Sequence, residues 1–91
     1  MEVIDPKKIL KLAVIQGASK RAIARAAGYE SHTYVLRMLN GDPKAKTLNV
    51  EPAVRIAHFF GVGTDDLFVA RTSSEARQVA NLERKVRKVA A

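Results

Sequence analysis

The stretch SKRAIARAAGYESHTYVLRMLN, residues 19–40, decides how this chain is read. Ser19 is a residue type that caps helices, and Ala22, Ile23, Ala26 and Ala27 recur behind it at helical spacing, which predicts a short helix over residues 20–27. Gly28 ends that helix. Ser31 can cap a second one, in which Val35, Met38 and Leu39 fall at i, i+3 and i+4 and form a single inward stripe. The small residues Ala24 and Gly28 allow the two helices to cross closely, so that the outer face of the second projects, as in a helix-turn-helix whose second helix enters a DNA major groove. With the stripe set inward, helical geometry puts Thr33, Arg37 and Asn40 on the opposite side, and His32 and Tyr34 at its forward edges. These are the candidate DNA-facing residues.

Working outward, Asp5-Pro6 reads as an N-cap and first helical position, and Ile9, Leu10, Leu12 and Ala13 predict a helix over residues 6–16 that Gly17 stops. On the other side, Asn40-Gly41 closes the second helix of the pair, and residues 42–46 form a polar loop with Lys44 and Lys46 exposed. Asn49 is placed to cap a further helix with Pro52 in its first turn and Ala53, Ile56, Ala57 and Phe60 facing inward, closed by Gly61. A short helix over residues 64–68 follows, with Asp65 and Asp66 at the positive end of its dipole and Leu67 and Phe68 returning to the core. The expected fold is therefore all-α, with a five-helix domain over residues 1–70.

From Arg71 the composition changes. Residues 71–74 read as a joint and residues 75–90 as a strongly helix-forming tail in which Val79, Leu82, Val86 and Val89 make a heptad seam of about two repeats. Residues 71–91 hold six basic and two acidic side chains, more than half of the chain's net charge of +7. An isolated helix of this length is marginal in water, so the stripe needs a partner surface. Because the other faces of the domain look polar, the stripe is expected to act as a dimerisation element. The homodimer should be weak, since Arg84, Lys85, Arg87 and Lys88 repel across it, and should strengthen when two domains sit on neighbouring half-sites.

Bulk properties agree with an anionic partner. The 91 residues are 47% hydrophobic, enough for one modest core, and the positive charge favours nucleic acid over a membrane or a neutral ligand. There is no cysteine, and the acidic start of residues 1–6 is unlike a signal peptide, so a cytoplasmic protein without a membrane span is expected. Ser31 and His32 are sequence neighbours and cannot align as nucleophile and base on one helix, and no phosphate-cradling glycine loop exists, so no enzyme, cofactor or small-molecule substrate is expected. His58 lacks the companions a metal site needs.

Within the DNA-facing set, Arg37 is the basic residue on the free face of its helix, and arginine to guanine is the commonest specific contact. Lys20, Arg21 and Arg25 sit on the helix that would cross the DNA backbone, beside Ser19. Ser19, Lys20, Arg21, Asn40, Lys44 and Lys46 are therefore candidate phosphate contacts, and Tyr34 is expected to pack over the core edge with its hydroxyl on a phosphate.

Three segments together, SKRAIARAAG (residues 19–28), VLRMLNG (35–41) and RIAHFFGV followed by DDL (55–62 and 65–67), resemble the Cro and lambda-repressor-like helix-turn-helix family, of the xenobiotic response element type. The likeness covers roughly residues 5–70. It departs from the family in a turn one residue longer between Gly28 and Val35, and in a long loop after Gly41 with Leu48 where proline is common. The resemblance implies a compact five-helix domain whose third helix reads bases, usually as a dimer on a two-fold operator. By position, His32, Thr33 and Arg37 match its base-contacting sites, and Lys20 and Asn40 its phosphate-contacting sites. The implied function is a sequence-specific double-stranded DNA-binding transcriptional regulator, a phage-like or bacterial repressor. Two other readings compete: an antitoxin-like or adaptor protein that binds a partner through its C-terminal helix, and a nonspecific nucleic-acid binder. The last lacks an aromatic stacking platform.

Overall fold

Helix boundaries fall where local chemistry sets them. The computed structural model describes residues 1–28 and 32–90, with the side chains of residues 32 and 86–90 outside the description; the Ser31 cap and the lengthened turn lie outside it too. Helix α1 spans Pro6–Gln16, and Asp5 caps it by accepting from the Lys7 N–H at 3.0 Å. Helix α2 spans Lys20–Ala26, where Ser19 Oγ accepts from the Ala22 N–H at 3.1 Å, and α3 spans His32–Leu39. Helix α4, Val50–Phe60, starts differently from expectation. Asn49 occupies the N-cap position, but its side chain makes no capping bond. Pro52 at the third helical position has no N–H to donate, which leaves the Glu51 N–H as the one donor of the usual pair that such a cap could hold.

The chain then forms α5, Thr64–Leu67, and α6, Ser73–Ala90. Between them lies a correction to the purely helical reading. Phe68, expected at the end of a helix, is extended and with Val69 forms strand β2 (Phe68–Val69), which pairs antiparallel with β1 (Glu2–Val3) in the register Glu2 to Val69 and Val3 to Phe68. An aromatic followed by a β-branched residue suits this pleat. The N-terminal segment is held on its other side as well, since the Val3 N–H donates to Lys46 O and the Leu48 N–H to Met1 O, both at 2.8 Å. The molecule is mostly helical, with this small sheet tying its first residues down.

One core joins the elements. Ile9 and Ala13 of α1, Ile23 and Ala24 of α2, the Val35, Met38 and Leu39 stripe of α3, and Ala53, Ile56, Ala57 and Phe60 of α4 are all buried together with Leu67 and Phe68. The loop after Gly41 contributes too. Its lysines are exposed, but Ala45 and Leu48 are buried, so the loop is pinned to the core rather than wholly polar.

Helix α6 packs against α4, and Val79 and Leu82 are half-buried on the core. Two of the four residues of the expected seam are thus packed within the chain itself. Val86 and Val89 have side chains outside the description. Two carboxylates fasten the helix. Glu75 accepts from the Met1 amino group at 2.9 Å and from the Arg71 N–H at 2.7 Å, while Glu83 Oε1 accepts from both the N–H and the hydroxyl of wholly buried Thr64, at 3.1 and 2.7 Å. Thr72 Oγ1 caps α6 by accepting from the Glu75 N–H, so the helix begins before the expected residue 75. The radius of gyration, 12.2 Å, is about that of a compact globule of this length, so α6 does not stand off as an arm.

Candidate nucleic-acid interface

The outward face of α3 is the consequence of its inward one. Val35, Met38 and Leu39 are completely covered by the neighbouring helices, and on a helix this leaves Thr33, Arg37 and Asn40 exposed. Helix α2 packs directly on α3, and Lys20 at its first position donates from Nζ to Asn40 Oδ1 at 2.6 Å. The start of one helix and the end of the next are thereby brought together, along with two of the residues expected to contact phosphate. Arg21, Arg25, Lys44 and Lys46 are exposed. The side chain of His32 lies outside the description.

Helix α3 ends in a tight reversal. Gly41 adopts φ 81°, its N–H donates to Met38 O, and the Asp42 N–H donates to Arg37 O, both at 3.1 Å. This pair of bonds is the Schellman ending, and it requires the left-handed conformation that glycine takes without steric cost. It also sets the third residue past the end of the helix beside the third residue from that end. Here those residues carry opposite charges: Arg37 Nε donates to Asp42 Oδ2 at 2.8 Å. Asp42 Oδ1 accepts from the Lys44 N–H at 2.9 Å. That backbone bond first, and the Arg37 bond next, hold the Asp42 carboxyl below its ordinary pKa, so it is charged at neutral pH.

Two side chains play parts the sequence reading did not include. The Tyr34 hydroxyl donates to Thr47 O at 2.5 Å and so ties α3 to the loop before α4. Arg55, paired with Glu51 one turn earlier on α4, lies across Gly28; a Cβ built there would come within 2.0 Å of Arg55 Nη1. The guanidinium end of Arg55 is exposed and can move aside, so it is the φ of 72° at the α2–α3 junction that favours glycine there. Asp42 was legible only as part of a polar loop, although its position five residues after Arg37 across Asn40-Gly41 was the available signal. Ser19 is where expected, with its oxygen engaged in capping.

The face is not uniformly basic. Asn40, Asp42 and Lys46 border a groove of about 520 Å³ together with Glu2, Asp5 and Lys7, so groups of both signs line that edge. Nor are the other faces wholly polar, as had been expected: Val14 and Ile15 at the end of α1 are 81% and 79% exposed. Among the described residues no helix is long and apolar enough to cross a membrane, and no group of three or more acidic or histidine side chains could hold a metal ion. Compared with protein-family models, curated proteins and solved structures, the chain matches none, so the reading of this face rests on its own residues.

Proposed function

We propose that this chain is a sequence-specific double-stranded DNA-binding transcriptional regulator of the phage-like or bacterial repressor type, acting in the cytoplasm at an operator, and that α2 and α3 are its helix-turn-helix. One observation carries the reading. The inward stripe of α3 is completely buried while Thr33, Arg37 and Asn40 stand exposed on the other side, joined to the basic start of α2 by the Lys20–Asn40 bond. In this reading α3 lies in the major groove, Arg37 and Thr33 with His32 read base edges, and Lys20 and Asn40, flanked by Arg21, Lys44 and Lys46, meet phosphates. No catalytic step and no cofactor enters it.

The adaptor reading, in which the C-terminal helix takes a partner protein, has less support, because Val79 and Leu82 are already packed within the chain. The same packing reduces what the stripe can offer a homodimer, so a dimer formed on adjacent half-sites rests more on the DNA than on α6. Selection of bound duplexes from a random pool tests the function directly. Enrichment of a defined site, with two half-sites about one helical turn apart for a dimer, is the expected result. Recovery of sequences no different from the input would overturn it.

A further inference from the structure

The ion pair at the end of α3 is built more tightly than an ordinary surface pair. Both oxygens of Asp42 are committed, Oδ1 to the Lys44 N–H and Oδ2 to Arg37, and its backbone N–H is bonded to Arg37 O. The carboxylate therefore cannot turn without breaking a bond. Among the described residues Arg37 is bonded through Nε alone, which leaves the terminal amino groups Nη1 and Nη2 as a two-pronged donor on a side chain that is 47% exposed. That pair of donors has the geometry that matches O6 and N7 of guanine.

Resting on the DNA-reading function proposed above, we propose that Asp42 is a positioning residue that sets base preference through Arg37, holding the guanidinium by Nε so that its outer fork is aimed before DNA arrives. A free arginine must give up side-chain freedom at the moment of binding, whereas a fork already held loses less. The effect appears only where the base can accept both bonds, so it acts on selectivity. The negative charge acts in the other direction on every duplex, because a carboxylate beside the backbone repels phosphate whatever the sequence. Asp42 thus trades general affinity for discrimination. A residue that merely ended the helix would move neither quantity in this pattern.

The test uses the full chain at one fixed salt concentration, with two duplexes: the one selected from the random pool and the same duplex changed at the single position that Arg37→Ala identifies. Asp42→Asn keeps an oxygen for the Lys44 N–H and removes the charge that holds Arg37. The affinity ratio between the two duplexes should fall roughly five- to tenfold, a part of what a bidentate pair supplies, while affinity for random duplex holds or rises. In the Arg37→Ala background, Asp42→Asn should leave the ratio unchanged, because the group it acts through is gone. A ratio unaltered by Asp42→Asn in a discriminating wild type overturns this proposal alone. An equal fall in both backgrounds also overturns it, since Asp42 would then act by another route. A wild-type chain that shows no preference between duplexes overturns the DNA-reading function and this inference together.

Discussion

Helices α3 and α6 are both amphipathic with arginine on their outer faces, yet they are held in place by different forces. The eight residues of α3 bury three side chains completely, so apolar contact decides its rotation and everything on its outer face follows from that. The eighteen residues of α6 have, in their described part, no fully buried side chain and only Val79 and Leu82 as half-buried apolar ones, and the half-buried carboxylates of Glu75 and Glu83 complete the attachment. A short helix surrounded by neighbours is positioned by burial. A long one with a thin stripe needs polar anchors to choose its place. The basic groups differ accordingly: Arg37 is held by a carboxylate of its own helix ending, whereas the tail's described hydrogen bonds run through acids.

The largest effect should come from breaking the burial side of this comparison. Met38→Ala removes a wholly buried side chain and should cost about 2–5 kcal/mol of stability, while Leu82→Ala, at a half-buried site, should cost about 1 kcal/mol. Urea unfolding midpoints of the two variants measure both, and equal losses would mean that α6 is packed as firmly as α3. On the outer face of α3, Arg37→Ala should weaken the preferred duplex by about 1–3 kcal/mol and relax preference at one base position. Competition between duplexes that differ at single positions reads this out; an unchanged base preference removes Arg37 from the reading set.

Lys20 sharpens the contrast within the interface. Replacing it with alanine should weaken all duplexes alike and reduce the slope of log affinity against log salt by about one, since a phosphate contact carries no sequence information. A loss confined to the preferred duplex would mean that α2 is docked differently. The smallest effect concerns the polar anchoring of α6. The bond from the Met1 amino group, and then that from the Arg71 N–H, hold the Glu75 carboxyl below its ordinary value of 4.5. A lowered carboxylate pKa contributes stability that is complete above the ordinary value and is lost as pH falls through the lowered one. The stability difference between wild type and Glu75→Gln should therefore be present at pH 7 and close as the solution is acidified below about 4.5; a difference constant down to pH 3 would show that the charge of Glu75 anchors nothing.

Much of the fold was legible because caps and stripes are local. Asp5-Pro6 and Gly17 bound α1 at the expected residues, and the inward and outward sets on α3 follow from its spacing alone. Thr72-Ser73-Ser74-Glu75 carried a capping signal that passed for a joint, because threonine and serine also build loops and only the Glu75 N–H to Thr72 bond separates the two. The strand pairing was not legible. Two residues at each end of the domain make too short a pattern for alternation to show, and they meet only because the chain folds back.

The amino-acid sequence by itself determined the helices, the stripe that buries α3, the residues left on its outer face and the basic charge, because each depends on neighbours within a few positions. Tertiary structure decided the rest. It brought Lys20 to Asn40, gave the Tyr34 hydroxyl to Thr47, seated Val79 and Leu82 on the core and closed Met1 onto Glu75. Those pairings join residues up to 74 positions apart, and no local preference can choose among distant partners until packing has placed them within hydrogen-bond reach. The Arg37–Asp42 pair stands between the two: its reversal is written locally in Asn40-Gly41, but only the folded chain shows that the returning residue meets the guanidinium.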